Sequence, residues 1–180
     1  MAELDLGRAR FNMIEQQVRT WDVLDQRVLD VYEQVPREAF VDPAHRHLAY
    51  ADINLPLAHG EVMLSPKQEG RILQALALTP DSRVLEVGTG SGYLTACLAT
   101  LAGRITSVDI HEDLLVLAQE RLEAAGLDER ISLLCGDAAA GWEGGEQFDA
   151  IAVTGSLPEL HQGFHRALAP GGRLFVVVGD

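Results

Sequence analysis

Val84-Leu85-Glu86-Val87-Gly88-Thr89-Gly90-Ser91-Gly92 decides the fold. A short apolar strand, Arg83–Val87, runs into three glycines at alternate positions, and an apolar helix, Tyr93–Leu101, follows at once. Glycines there let the chain turn sharply off a strand and bring bare backbone against a ligand. The helix behind them presents unpaired N–H groups. Dinucleotide-binding turns use the same device, but with Gly-x-Gly-x-x-Gly spacing. Here the third glycine arrives one residue early, and Glu86 stands two residues before the first. A carboxylate in that place repels a pyrophosphate and suits a cationic amino-acid ligand. The bland alternative is a plain tight turn.

Outward from this loop the chain alternates short apolar runs with amphipathic stretches. Strands are expected at Arg104–Val108, Ile131–Cys135, Phe148–Val153 and Arg173–Val178, with helices at Leu114–Ala125 and Leu157–Leu168 between them. Strands separated by helices of this length imply right-handed crossovers and a parallel sheet. The fold class is therefore α/β, a doubly wound, mostly parallel Rossmann-like sheet. Ligands on such sheets bind outside the carboxyl ends of the strands, which directs attention to the residues after Val87, Val108, Cys135 and Val153. Asp109 ends the second strand about 20 residues beyond Gly88, where an acid can take both hydroxyls of a ribose. As a lone Asp ahead of Glu112 it would read as a helix cap. Gly136-Asp137 ends the third strand, where Asp137 can accept from an exocyclic amine or simply turn the chain. Thr154 follows the fourth, as a ligand contact or a turn former.

Residues 1–80 read differently, as a helical and loop extension to the core at 81–180. Asp25 precedes apolar residues Val28, Leu29, Tyr32 and Val35 at helical spacing, and Pro36 ends that helix. Phe40 to Met63 holds Pro43 and Pro56 and reads mostly as loop with one extended piece. Ser65-Pro66-Lys67-Gln68 then opens a helix, with Ser65 as N-cap, Pro66 in the first turn and Gln68 at the capping-box position.

Bulk properties bound the partners. The 180 residues carry a formal net charge of -13 and no Lys/Arg cluster, which argues against nucleic acid and anionic membranes. No apolar run approaches the roughly 20 residues of a membrane span. Met1-Ala2-Glu3-Leu4-Asp5 lacks a secretory pattern, so a cytoplasmic location is expected. Cys97 and Cys135 stand in apolar surroundings and read as buried small hydrophobes. His45 and His47 have no third ligand at sensible spacing, so no metal is expected there or elsewhere. Trp21 and Trp142 read as packing residues.

The glycine loop, Asp109, Gly136-Asp137, Phe148-Asp149-Ala150-Ile151 and Pro170-Gly171-Gly172-Arg173-Leu174 resemble the successive motifs of class I S-adenosylmethionine-dependent methyltransferases. Met13-Ile14-Glu15-Gln16-Gln17-Val18-Arg19, Val35-Pro36-Arg37-Glu38-Ala39-Phe40-Val41, Leu48-Ala49-Tyr50-Ala51-Asp52 and His59-Gly60 are similar to segments of the protein-L-isoaspartate O-methyltransferases. The resemblance runs from about residue 12 to the end. It implies methyl transfer from S-adenosyl-L-methionine, leaving S-adenosyl-L-homocysteine, to the carboxylate of isoaspartyl residues in damaged protein or peptide. By resemblance, Glu86, Gly88 and Gly90 lie near the methionine part of the cofactor, Asp109 on its ribose and Asp137 near its adenine. Thr89, Gly92, Ile110, Gly136 and Thr154 join them as candidate cofactor-binding residues. Asp52 and Leu64 fall on the acceptor side, and His59 and Ser65 are the candidate catalytic residues.

Two departures qualify the resemblance. The family's Thr-Ile-Ser-x-Pro signature reads Val62-Met63-Leu64-Ser65-Pro66 here, so both hydroxyl positions are apolar and Ser65 stands one residue late, where it caps a helix. Lost hydrogen bonds change acceptor choice by orders of magnitude. A relative with another acceptor, a non-catalytic cofactor-binding module and a nicotinamide-dependent oxidoreductase therefore stand as alternatives, the last opposed by Glu86 and the glycine spacing. Members of the class also continue past the fifth strand with an antiparallel pair. The sequence stops at Gly179-Asp180, so missing strands and an open apolar edge at Leu174–Val178 are expected.

Overall fold

The computed structural model of the chain describes residues 5–142 and 144–179; Met1 to Leu4, Glu143 and Asp180 lie outside it, and with them parts of both chain ends quoted above. Helix α1, Leu6–Met13, starts where the Asp5 carboxylate accepts the Arg8 N–H, and it runs on through a wide π-type turn at Ile14–Val18. Helix α2, Gln26–Gln34, is capped by Asp25, whose carboxylate accepts the Arg27 N–H, and it ends before Pro36 as its sequence requires. The stretch read as mostly loop contains single 3-10 turns and one small hairpin, β1 Leu55–Pro56 against β2 Val62–Met63. Helix α3 is Pro66–Leu76. The Gln68 side chain turns back over its start, and its Oε1 accepts the Ser65 N–H at 3.0 Å and the Ser65 hydroxyl at 2.9 Å.

The second part alternates as expected: β3 Arg83–Val87, α4 Tyr93–Leu101, β4 Arg104–Asp109, α5 Glu112–Ala124, β5 Ile131–Cys135, β6 Phe148–Leu157, α6 Gln162–Ala167 and β7 Leu168–Val178. The strands form one sheet in the order β5-β4-β3-β6-β7, and every pairing is parallel. From β3 the chain winds outward through β4 to β5, then returns to the other side of β3 as β6. Crossovers leaving β3 in opposite directions open a crevice above its carboxyl end. No helix among the described residues is long and apolar enough to cross a membrane.

Three expectations are corrected. The last helix is six residues, Gln162–Ala167, rather than Leu157–Leu168. Ser156 and Leu157 are drawn into the sheet against Val177 and Val178 across a bulge, and helix α6 begins only where the His161 ring accepts the Gly163 N–H at 3.1 Å. Cys97 is buried, but Cys135 is exposed because β5 is an outer strand. Trp21 is half-exposed, with the Lys67 ammonium 4.2 Å over its ring.

Strand alternation divides the core. Val84, Ile105 and Ala152 face a cluster that also holds Tyr32, Ile72, Leu98 and Leu122, so one continuous apolar mass joins the N-terminal helices to the sheet through α4. Helix α4 is buried from Tyr93 to Ala99, in keeping with a sequence that is apolar all round. Leu85, Ile151 and Val153 face the other way, onto Phe164 and Ala167 of α6. Fully burying a side chain like Phe164 contributes about 1.5–3 kcal/mol. A buried ion pair lies inside the first cluster. Arg37 is buried with its guanidinium donating to the Glu69 carboxylate and the carbonyls of Ala49 and Leu64, 4.8 Å over the Tyr93 ring.

Candidate active site

The carboxyl ends of β3, β4, β5 and β6 surround a hollow of about 200 Å³, closed from one side by the β1–β2 hairpin. Its floor is the glycine loop. Gly88 takes φ +102, and a Cβ there would stand 2.7 Å from the Thr154 Oγ1, so only glycine lets the loop pass under β6. The Thr154 hydroxyl in turn donates to the carbonyls of Val87 and Gly88, both at 3.1 Å. Gly92 also needs its positive φ of +82, but for packing: a Cβ would meet that of Ala118 in α5 at 3.0 Å.

Asp109 is the acid of the site. It is 7% exposed. The Gly90 N–H donates to its Oδ2 at 2.9 Å and the His111 N–H to its Oδ1 at 3.0 Å. Each oxygen keeps a further lone pair for a ligand hydroxyl. Beside it Ile110 is 61% exposed at the mouth of the hollow. Asp137 is exposed at the end of β5, with Oδ1 taken by the Ala139 N–H at 2.9 Å.

Of the residues singled out above, Leu64, Gly88, Gly90, Asp109, Ile110, Gly136, Asp137 and Thr154 line this hollow. Glu86, Thr89 and Gly92 do not, because strand alternation turns Glu86 to the opposite face of β3. There it is fully buried, its Oε2 accepting the hydroxyls of Thr95 and Ser107, both at 2.5 Å, while Oε1 has no partner among the described residues. The Thr89 hydroxyl lies 2.7 Å from that of Ser107, which joins the loop to the same network. Burial pushes the Glu86 carboxyl up to about 7, against the pull of the two hydroxyls and with help from the nearby Asp109 charge.

The acceptor-side residues also divide. Val62 and Leu64 line the hollow, so the positions that carry hydroxyls in the signature discussed above meet it as apolar groups. Ser65 does not; it is buried on Gln68 at the helix start. Asp52 stands on the Lys67 ammonium at 2.7 Å, away from the hollow. His59 is exposed beside the mouth, its Nε2 2.9 Å from the Asp113 carboxylate, and that contact holds Asp113 below the usual carboxylate range. Its ring lies flat on His111, which does line the hollow.

Sequence reasoning missed Leu57, Glu61, His111, Leu114 and Leu157 in the lining. Leu57 and Glu61 come from the hairpin, whose two-residue strands are too short for any periodicity. His111 stands two places after Asp109, so its nearness was there to be read.

The family model described as protein-L-isoaspartate(D-aspartate) O-methyltransferase matches residues 9–180. A curated relative from Cronobacter sakazakii, a protein-L-isoaspartate O-methyltransferase, is 41% identical over 171 residues, covering 95% of this chain and 82% of its own length. Among solved structures, a Plasmodium falciparum protein described as a protein-L-isoaspartate O-methyltransferase, in complex with S-adenosyl-L-homocysteine, superposes with a TM-score of 0.82 at 22% identity, over 99% of this chain and 86% of that one. Another protein-L-isoaspartate O-methyltransferase superposes with a TM-score of 0.78 at 23% identity, over 96% of this chain and 55% of that one. At those identities the two structures speak for the fold; the family model and the Cronobacter relative settle membership. The chain belongs to the protein-L-isoaspartate (D-aspartate) O-methyltransferase family.

Proposed function

We propose that this chain transfers a methyl group from S-adenosyl-L-methionine to the free carboxylate of isoaspartyl residues in damaged protein or peptide. The observation that carries this reading is the hollow itself. A glycine floor that a Cβ would fill, a held carboxylate at Asp109 and an apolar rim at Ile110 and Leu114 meet at the tips of adjacent parallel strands. Those residues fit an adenosyl ligand. Asp109 would accept the two ribose hydroxyls, Asp137 an exocyclic amine, and Ile110 and Leu114 would cover a flat base.

When bound, S-adenosyl-L-methionine supplies a methyl group on a positively charged sulfur; a carboxylate oxygen bonds to that carbon as the carbon–sulfur bond breaks and the electron pair stays on sulfur. An isoaspartyl carboxylate ordinarily titrates near pH 4, at about the value of other carboxylates, and is ionised at neutral pH, so no base is required of the protein. Its task is to hold the reactants in line and to keep water off the carboxylate. The Gly90–Asp109 bond sets the loop against the ribose side. Leu57, Val62 and Leu64 supply a dry wall on the acceptor side.

Labelled methyl transfer to an isoaspartyl peptide, run beside the aspartyl peptide of the same sequence, tests the proposal. Base-labile label on the first alone is expected, and label on neither would overturn it. One observation favours a second reading, a different carboxylate or hydroxyl acceptor: Val62 and Leu64 leave this wall without hydroxyls.

A further inference from the structure

The β1–β2 hairpin and the start of α5 meet at three side chains that the proposed methyl transfer does not use. The His59 Nε2 lies 2.9 Å from both oxygens of Asp113, 54 residues away in sequence. The His59 and His111 rings stack with centroids 3.9 Å apart and planes 6° from parallel. One ligand atom from each of the three residues lies within 4.8 Å of the others. The hydrogen bond and the ring stack hold the three side chains together at the surface, with both imidazoles beside one carboxylate.

We propose that His59, His111 and Asp113 form a binding site for a divalent transition-metal ion of the zinc class, placed across the mouth of the hollow. Two neutral imidazole nitrogens and one carboxylate oxygen are the ligand set such ions take, with water completing the shell; imidazole lone pairs lie in the ring plane, so the stacked rings open as both nitrogens turn to one ion. Magnesium and calcium demand oxygen-rich shells, so this site rejects them. His59 lies between Leu57 and Glu61, which line the hollow, while His111 follows the lining residues Asp109 and Ile110. A bound ion therefore ties one wall of the hollow to the other. If the hollow holds the cofactor as proposed above, the ion slows release of the bound product.

Equilibrium dialysis of the full chain against zinc chloride tests the site. One tightly held zinc per chain is expected, with affinity about tenfold or more weaker in His59→Ala and in Asp113→Ala. Both side chains are exposed, so these substitutions leave the core untouched. The double variant His45→Ala, His47→Ala controls for chance binding by other histidines and should match the parent. Cobalt in place of zinc should give a visible absorption band that His59→Ala loses, and magnesium should not compete. Absence of saturable zinc binding, or equal binding by the parent and His59→Ala, overturns the site. Stopped-flow release of S-adenosyl-L-homocysteine, with and without zinc, reads the second half. Slower release with zinc is expected, and an unchanged rate refutes the clamp while leaving the site. A chain that binds zinc as expected but no S-adenosyl-L-homocysteine would refute the cofactor reading instead.

Discussion

The Gly90 N–H donates to the Asp109 Oδ2 at 2.9 Å, so the glycine loop after β3 is fastened to the acid at the end of β4. The same carboxylate then does two things: it fixes the loop and offers its free lone pairs to a ligand. Asp109→Ala removes both, and affinity for S-adenosyl-L-homocysteine should fall by about tenfold or more, since a charge-assisted bond contributes roughly 1.5–3 kcal/mol. Asp109→Asn keeps one acceptor for Gly90 and should bind between the two. Calorimetric titration of the three proteins checks the order, and equal affinities would remove Asp109 from the site.

Glu86 imposes a pH dependence on stability. The folded chain holds its proton up to about pH 7, whereas the unfolded chain releases it near the ordinary value of 4.5. Between those values the folded state binds more protons, so stability falls as pH rises through that window. The loss is on the order of a few kcal/mol at about 1.4 kcal/mol per unit. Glu86→Gln should reduce this slope in urea denaturation, the remainder coming from Glu69, which burial likewise raises to about 7, and should match or exceed the parent in stability above neutrality. An identical slope in both proteins would mean that Glu86 is not the group responsible.

Arg37 tests how the acceptor side is held. Its guanidinium bonds to Glu69 and to the Leu64 carbonyl inside the core. Arg37→Met leaves a buried carboxylate and two carbonyls unpaired, and should cost about 3–5 kcal/mol in chemical denaturation. A cost below about 1 kcal/mol would show that water reaches the site and replaces the guanidinium.

Leu64→Ser returns a hydroxyl to the wall of the hollow where the side chain now stands half-buried. A new hydrogen bond of about 1 kcal/mol corresponds to roughly fivefold in kcat/KM for an isoaspartyl peptide. An increase is expected; no change would show that the acceptor wall has been rebuilt beyond this residue.

Much of this arrangement was legible in the sequence. The bounds of β3, α4 and β5 follow from short apolar runs between clear breakers, and Asp109 from its place at a strand tip. The end of β6 was not legible, because Ser156 and Leu157 become strand only through pairing with Val177 and Val178 across a bulge. The position of Glu86 was available from the period of two, which puts it on the Val84 face, yet its charge beside the glycine loop, and then the resemblance, drew it toward the ligand. The grouping of His59, His111 and Asp113 had no local signal, since only the fold closes the distance between the hairpin and α5.

The most direct test of the hollow as the adenosyl site is a crystal structure of the chain grown with S-adenosyl-L-homocysteine. The expected result is the ligand above the glycine loop, with both ribose hydroxyls on the Asp109 carboxylate and the base beside Ile110 and Asp137. Ligand bound elsewhere on the chain, with the hollow filled by side chains, would contradict it.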